Sequence, residues 1–168
     1  MADVAEAAHV SKGLLYHYFP SGRPDLLDAV GREVAGELVD RVTRAAAAPF
    51  SPAVRVEQVL AAIVSYFDEH PIAYRVLFVE SCGGEVNGSG AYARARVAGE
   101  LVALLTDDEG AADELLALGT GLVGFVLANV ELCLAGELDA EGAWRASCRC
   151  ARGLLDPAAA ASTASHRS

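Results

Sequence analysis

The stretch VAEAAHVSKGLLYHYF, from Val4 to Phe19, predicts two short helices joined by a tight turn. The turn ends at Ser11, which is a favourable N-cap because its hydroxyl can accept a hydrogen bond from a free backbone N–H of the next turn. We expect the second helix to run from Lys12 to about Phe19. Leu15 and Phe19 are four residues apart, so they share the face that packs inward.

The opposite face of this second helix carries Lys12, Gly13, Tyr16 and His17, and no carboxylate. Each residue alone would suit an ordinary surface helix with a long, partly packed side chain. Together, on a short helix supported by another across a tight turn, they indicate a helix that enters the major groove of DNA.

The sequence AEAAHVSKGLLYHYFPSG resembles the helix-turn-helix signature of TetR-type (TetR/AcrR) transcriptional repressors, and the match is dense from Val4 to Leu27. The resemblance implies an all-α fold with a helix-turn-helix head and a helical body that binds a ligand and dimerises. It implies that DNA phosphates or bases are contacted by Ser11, Lys12, Tyr16, His17 and Tyr18. It also implies that Gly13 lets the helix backbone approach the groove closely and that Arg23 adds a nearby positive charge.

Four departures from the family pattern stand out, and one of them is the loop PSGRPDL, which is one residue longer than the usual PSKEEL. His9 occupies a turn position where the family usually has Gly, and Leu14 one where Thr is usual. The family also has a helix before this motif, whereas this sequence begins inside the motif's first helix. We therefore expect a truncated head with incompletely covered inward residues, namely Val4, Ala8, Val10, Leu15 and Phe19. The alternative function is a dimeric small-molecule-binding module whose truncated head no longer binds DNA.

Length and composition indicate how the chain is divided. The 168 residues are 53% hydrophobic, enough for a sizeable core. We expect the head and its connecting helix over 1–46, the ligand-binding and dimerisation domain over 47–156, and a disordered tail of low complexity over 157–168.

The charge distribution favours a selective DNA-binding protein. The formal net charge of −10 argues against a polybasic, general nucleic-acid binder. Yet no acidic residue occurs from Ala7 to Pro24, which includes Lys12, Arg23 and two histidines. A local basic face on an acidic protein suits a regulator that binds chosen sites.

Cysteines and other reactive residues give no sign of catalysis or metal binding. The four cysteines, Cys82, Cys133, Cys148 and Cys150, lack paired disulfide spacing, and no leader sequence is visible, so we expect a cytoplasmic protein. Cys148 and Cys150 point about 200° apart on a helix and cannot share one metal ion. Nothing places His70 beside Cys82 as a base and nucleophile. We expect no enzyme activity, catalytic residue, metal or cofactor.

The body is predicted to consist of successive helices. A long apolar stripe runs from Leu26 to Val42 in the connecting helix. We expect helices over 24–46, 56–69, 71–79, 92–105, 111–135 and 139–155. The glycine-rich segment Ser81–Gly90 is expected to be a flexible loop at the rim of the ligand site, and Asp107–Gly110 an exposed turn.

One face of the helix expected over 111–135 consists of small residues. Small residues share a sector of about 60°, which predicts a close helix–helix contact. We assign the dimer interface to this stripe, comprising Ala117, Gly121, Gly124 and Ala128. A membrane span is the competing interpretation, but the uncharged run from Leu115 to Val130 is shorter than the about 20 residues that a span needs.

Aromatic and polar side chains at helical spacing are the candidates for the ligand pocket, although such residues are commonly plain core. The candidates are Tyr66, Phe67, Tyr74, Phe78, Tyr92, Phe125, Asn129 and Trp144. The expected partners are a pseudo-palindromic double-stranded DNA operator, an unknown small-molecule effector and a second copy of the chain, with no membrane.

Overall fold

A computed structural model describes residues 1–79, 88–105 and 112–155 of the chain. No strand occurs within these ranges, which confirms the all-α prediction. The helices are α1 (Ala2–Ala7), α2 (Lys12–Tyr18), α3 (Arg23–Ala46), α4 (Pro52–Glu69), α5 (Pro71–Tyr74), a π-helical turn (Arg75–Val79), α6 (Gly88–Leu105), α7 (Ala112–Leu134) and α8 (Ala140–Leu155).

Parts of the predicted loops and the tail lie outside the described residues. The predicted turn Asp107–Gly110, the tail 157–168 and Cys82 are among them. The predicted loop Ser81–Gly90 is wrong at its end, because Gly88 already begins α6. A carbon added at Gly90 would lie 2.1 Å from the carbonyl oxygen of Leu77, so the start of α6 packs directly on the π-helical turn.

Several helix ends follow from local side-chain chemistry. The Leu14 backbone N–H donates to Ser11 Oγ at 3.1 Å, which confirms Ser11 as the N-cap of α2. The Gly142 N–H donates to Asp139 Oδ1 at 2.6 Å at the start of α8. Gly136 follows α7 with a φ of 75°, a left-handed conformation that glycine adopts without steric cost.

The body is a bundle in which α3, α4, α6, α7 and α8 share one hydrophobic core. Its most completely buried large side chains come from four of these helices and from the π-helical turn, and they include Val42, Leu60, Ile63, Phe67, Leu77, Leu101 and Val126. Neither α1 nor α2 contributes to this core. The head and the body therefore have separate hydrophobic clusters.

Helix α3 connects the head to the body and runs antiparallel to α4. Near one end of the pair, Arg55 Nη1 donates to the carbonyl of Ala46 at 3.2 Å. Further along, the Tyr66 hydroxyl donates to the carbonyl of Val34 at 3.2 Å. These contacts join α4 to α3 over much of the length of α3.

The predicted inward face of α1 is wrong by one residue. Val4 is 36% exposed and Ala8 is exposed, while Ala5 is the buried residue at 4%. Adjacent helical residues point about 100° apart, so only one of Val4 and Ala5 can face α2. Leu15 is buried as predicted, and Val10 and Phe19 are half-buried.

The apolar segment of helix α7 is longer than the uncharged run considered in the sequence. Leu115–Leu134 is long and apolar enough to cross a membrane by length and composition, and 39% of an 18-residue segment of it is buried within the protein. A core helix meets the same criterion, and one face of α7 packs against the body through residues such as Val126 and Val130. This single helix does not indicate a membrane protein.

Candidate nucleic-acid interface

The candidate DNA-contacting residues share one exposed surface on and beside α2. Tyr16 is 50% and Tyr18 68% exposed, and the rings of His17 and Tyr18 meet edge to face with centroids 5.4 Å apart. The other predicted members are also exposed, namely Ser11, Lys12, Gly13 and Arg23. Buried Leu15 anchors the opposite side of α2, so this helix presents its polar face outward.

Charge and hydrogen-bonding capacity make this surface suitable for phosphate. Lys12, the only lysine in the sequence, lies at the first position of α2. Ser11 Oγ accepts a bond from the backbone, which leaves its hydroxyl hydrogen free to donate. Leu14 is exposed on the same helix, where an apolar side chain can contact a thymine methyl group.

The turn before α2 has a strained residue. His9 has a φ of 54°, within the left-handed region that glycine favours and other residues adopt at a steric cost. This conformation explains physically why the family usually has Gly at this position. The turn forms here without glycine, so the departure noted from the sequence leaves the helix-turn-helix geometry in place.

Polar contacts attach the connecting helix α3 to the body. Arg41 makes a two-pronged ion pair with Glu69, with N–O distances of 2.7 and 2.9 Å. This pair lowers the pKa of the Glu69 carboxyl, chiefly through its hydrogen bond to Arg41. The Tyr66 hydroxyl donates to Glu37 at 3.1 Å, and burial together with this bond raises the pKa of Tyr66. The last turn of α4 thus holds the middle of α3.

The structure brings four of the predicted pocket residues together as an aromatic cluster. Phe67 lies 5.3 Å from Tyr66, 5.5 Å from Tyr74 and 6.1 Å from Phe78, measured between ring centroids. The Tyr74 hydroxyl also donates to the Glu131 carboxylate of α7 at 2.5 Å. Burial is the main cause of the raised pKa of Tyr74, and this hydrogen bond is the second.

The other four predicted pocket residues lie elsewhere. Tyr92 and Phe125 are exposed on the surface. Asn129 is buried and donates to Ser147 Oγ at 3.3 Å, joining α7 to α8. Trp144 packs against the core, and its Nε1 is buried without a hydrogen-bond partner among the described residues.

Two concave regions in the described part of the chain are large enough to hold a molecule. An open groove of about 760 Å³ lies between α3 and α4, and charged and polar side chains such as Glu37, Asp40 and Arg44 line it together with Tyr66. A more enclosed pocket of about 270 Å³ lies where α4, α5, α7 and α8 meet, and Phe67 forms part of its wall. Tyr66 and Phe67 were predicted pocket residues, whereas the other lining residues of both regions were not, because each region combines residues far apart in the chain.

The predicted small-residue stripe lies on the outer face of α7. Ala117, Gly121, Gly124 and Ala128 are all exposed, and a carbon added at either glycine would meet nothing within 4 Å. The exposed apolar residue Phe125 lies beside them. The stripe makes no close contact inside the subunit and is accessible to a second chain.

The three described cysteines lie in or against the hydrophobic core. Cys148 is buried and Cys133 and Cys150 are half-buried, all three as free thiols. Burial raises the pKa of both Cys133 and Cys148, which keeps these thiols protonated. Within the described residues, no group of histidine, cysteine and acidic side chains is arranged to hold a metal ion.

Comparisons with known proteins agree with this geometry. Residues 1–30 match the family described as bacterial regulatory proteins, tetR family. The fold is similar to the crystal structure of a TetR-like transcriptional regulator from Rhodococcus sp. RHA1, with a TM-score of 0.73 and 22% sequence identity over 90% of this chain and 81% of that chain. No curated protein matches the chain.

The exposed helix α2 and the helical body define a helix-turn-helix protein of the DNA-binding class. Residues 1–30 are similar to the tetR family of bacterial regulatory proteins, and the fold of the chain is similar to that of a TetR-like regulator. Its class is that of DNA-binding transcriptional regulators, which are generally not enzymes.

Proposed function

We propose that this protein is a homodimeric repressor that binds a pseudo-palindromic operator through α2 and releases it when an effector binds the body. The observation that carries the proposal is the acid-free, exposed surface of α2, with Lys12 at its first position and Tyr16 and Tyr18 projecting outward. In a two-fold dimer, two such helices would enter successive major grooves about 34–36 Å apart.

The exposed outer face of α7 supports the dimer in this proposal. The stripe formed by Gly121, Gly124 and their alanine neighbours is exposed and apolar, and a second copy could cover it closely. A two-fold contact joins the same surface of both subunits. Such a contact would fix the distance between the two α2 helices through the bodies.

Effector response would act through α3. Because Tyr66 and Glu69 of α4 hold Glu37 and Arg41 of α3, a ligand that displaces the end of α4 would also reposition α3. A ligand that binds more tightly to the repositioned body shifts the population away from the DNA-competent state.

DNA binding is tested by fluorescence anisotropy on a duplex selected in vitro and on a scrambled duplex. We expect Lys12→Ala to weaken binding to both and to make the slope of log affinity against log salt shallower by about one, since one phosphate contact is lost. Tyr16→Phe should also weaken binding if its hydroxyl donates to a phosphate.

The matched controls are Arg149→Ala, which removes one positive charge from α8, and Tyr92→Phe, which removes an exposed hydroxyl from α6. Both should bind the duplexes like the original protein. Unchanged binding in Lys12→Ala and Tyr16→Phe would refute the assignment of this surface. A folded dimer that binds no duplex would favour the alternative, a ligand-binding module without DNA function.

A further inference from the structure

The pocket between α4, α5, α7 and α8 has an apolar interior. Val64, Phe67 and Val130 form its buried walls, and Pro71 and Leu134 lie closer to the surface. Its volume of about 270 Å³ is slightly below the range of about 300–1,000 Å³ usual for drug-sized ligands. A molecule of one ring with a short chain suits this space better than a larger one.

A solvent-exposed carboxylate lies at the edge of the pocket. Among the described residues that line the pocket, Asp68 is the only charged one, and none is a lysine, arginine or histidine. Within the described part of the chain, Asp68 has no ion pair or hydrogen bond, in contrast to the adjacent Glu69, which pairs with Arg41.

The other polar side chain of the pocket adds no positive charge. Cys133 lines the wall as a half-buried thiol. Burial and the negative charges of Asp68 and Asp139 raise the pKa of this thiol, so it stays neutral at pH 7. A cation in the pocket would therefore meet one unpaired carboxylate, a negative local field and apolar walls.

We propose that this pocket binds a small organic cation, a protonated amine on an apolar body, with its ammonium group at Asp68 and its apolar part against the buried walls. Amines of this type are positively charged at neutral pH, as the lysine side chain is. The exposed carboxylate of Asp68 supplies a modest electrostatic attraction for the ammonium group, and contact with the buried walls supplies the hydrophobic part of the affinity.

Occupancy of the pocket is coupled to the connecting helix by the geometry of α4. Phe67 and Asp68 face the pocket from the same turn of α4 in which Tyr66 and Glu69 hold α3. An amine that shifts this turn would alter the contacts with α3. This consequence rests on the proposed function, whereas binding of the amine does not.

Binding is tested by isothermal titration calorimetry with benzylamine as the probe, in the absence of DNA. Benzyl alcohol, which has a similar shape and no charge, should bind about fivefold more weakly. Asp68→Asn should weaken benzylamine binding about fivefold, the upper range for an ion pair with an exposed carboxylate. Asp40→Asn, which removes a carboxylate from the groove between α3 and α4, should leave binding unchanged.

A second measurement in the unmodified protein keeps the test independent of how the variants fold. Benzylamine should slow alkylation of Cys133, followed by mass spectrometry of peptides, and leave half-buried Cys150 unaffected. Equal binding of the amine and the alcohol, no effect of Asp68→Asn, or loss of binding in Asp40→Asn would each overturn the proposal. So would unchanged alkylation of Cys133 at saturating benzylamine.

The regulatory consequence is measured separately, as duplex affinity with and without saturating benzylamine. A decrease in duplex affinity supports coupling through α4. If benzylamine binds at Asp68 and duplex affinity is unchanged, the pocket stands and its regulatory role is refuted. If no duplex is bound under any condition, the proposed function fails while the pocket assignment stands.

Discussion

Gly124→Leu probes how the subunits associate. Gly124 lies on the outer face of α7, and a carbon added there meets nothing within 4 Å in the same subunit. A leucine is therefore accommodated in the isolated subunit. Leucine also favours a helix interior more than glycine, by several tenths of a kcal/mol, so the folded subunit should not be destabilised.

Gly124→Leu should destabilise the dimer, and by much more than it stabilises the folded subunit. Forcing extra bulk into a close contact costs about 1–3 kcal/mol per site. A two-fold interface contains the substitution twice, which gives about 2–6 kcal/mol. At about 1.4 kcal/mol per tenfold change, the dissociation constant of the dimer should rise by roughly 30-fold to 10⁴-fold.

Sedimentation equilibrium over a range of protein concentrations measures this constant, and thermal unfolding of the same samples checks that the variant folds. Gly99→Leu is the matched control, because Gly99 lies in α6 with nothing within 4 Å of an added carbon. It should leave association unchanged. A folded Gly124→Leu variant with the original dissociation constant would show that this stripe is not the subunit interface.

Three further substitutions test the fold itself. His9→Gly should stabilise the head by about 1 kcal/mol, because it relieves the left-handed backbone at φ 54°, and slower amide exchange in α1 and α2 would show it. Gly90→Ala should lower the free energy of unfolding by about 1–3 kcal/mol in urea denaturation, since the new carbon would lie 2.1 Å from the Leu77 carbonyl oxygen. Tyr74→Phe should cost about 1.5–3 kcal/mol in the same assay, because it removes the hydrogen bond to the Glu131 carboxylate, and an unchanged midpoint would contradict this contribution.

The sequence alone predicted the head in most of its detail. The local contacts in the head span only one or two helical turns. Spacing and capping preferences therefore suffice to place Ser11, Leu15 and the exposed residues of α2. The turn at Gly136 and the cap at Asp139 were predictable for the same reason. Which of Val4 and Ala5 is buried could not be predicted, because it depends on the angle at which α1 meets α2.

Within the body, the sequence determined that the segments are helical, and only the tertiary structure decided what their faces contact. The aromatic residues that looked like one pocket are divided between a packed cluster around Phe67 and exposed positions such as Tyr92. Asp68 was not a candidate, because the sequence around an exposed carboxylate near a helix end does not indicate that it lies at the edge of a pocket. Its place in a pocket arises because α7 and α8, more than 50 residues further along the chain, pack beside α4. A hydrophobic pattern specifies which side of a helix is buried, but a cavity depends on how several helices cross, and that geometry is set by packing of the whole core.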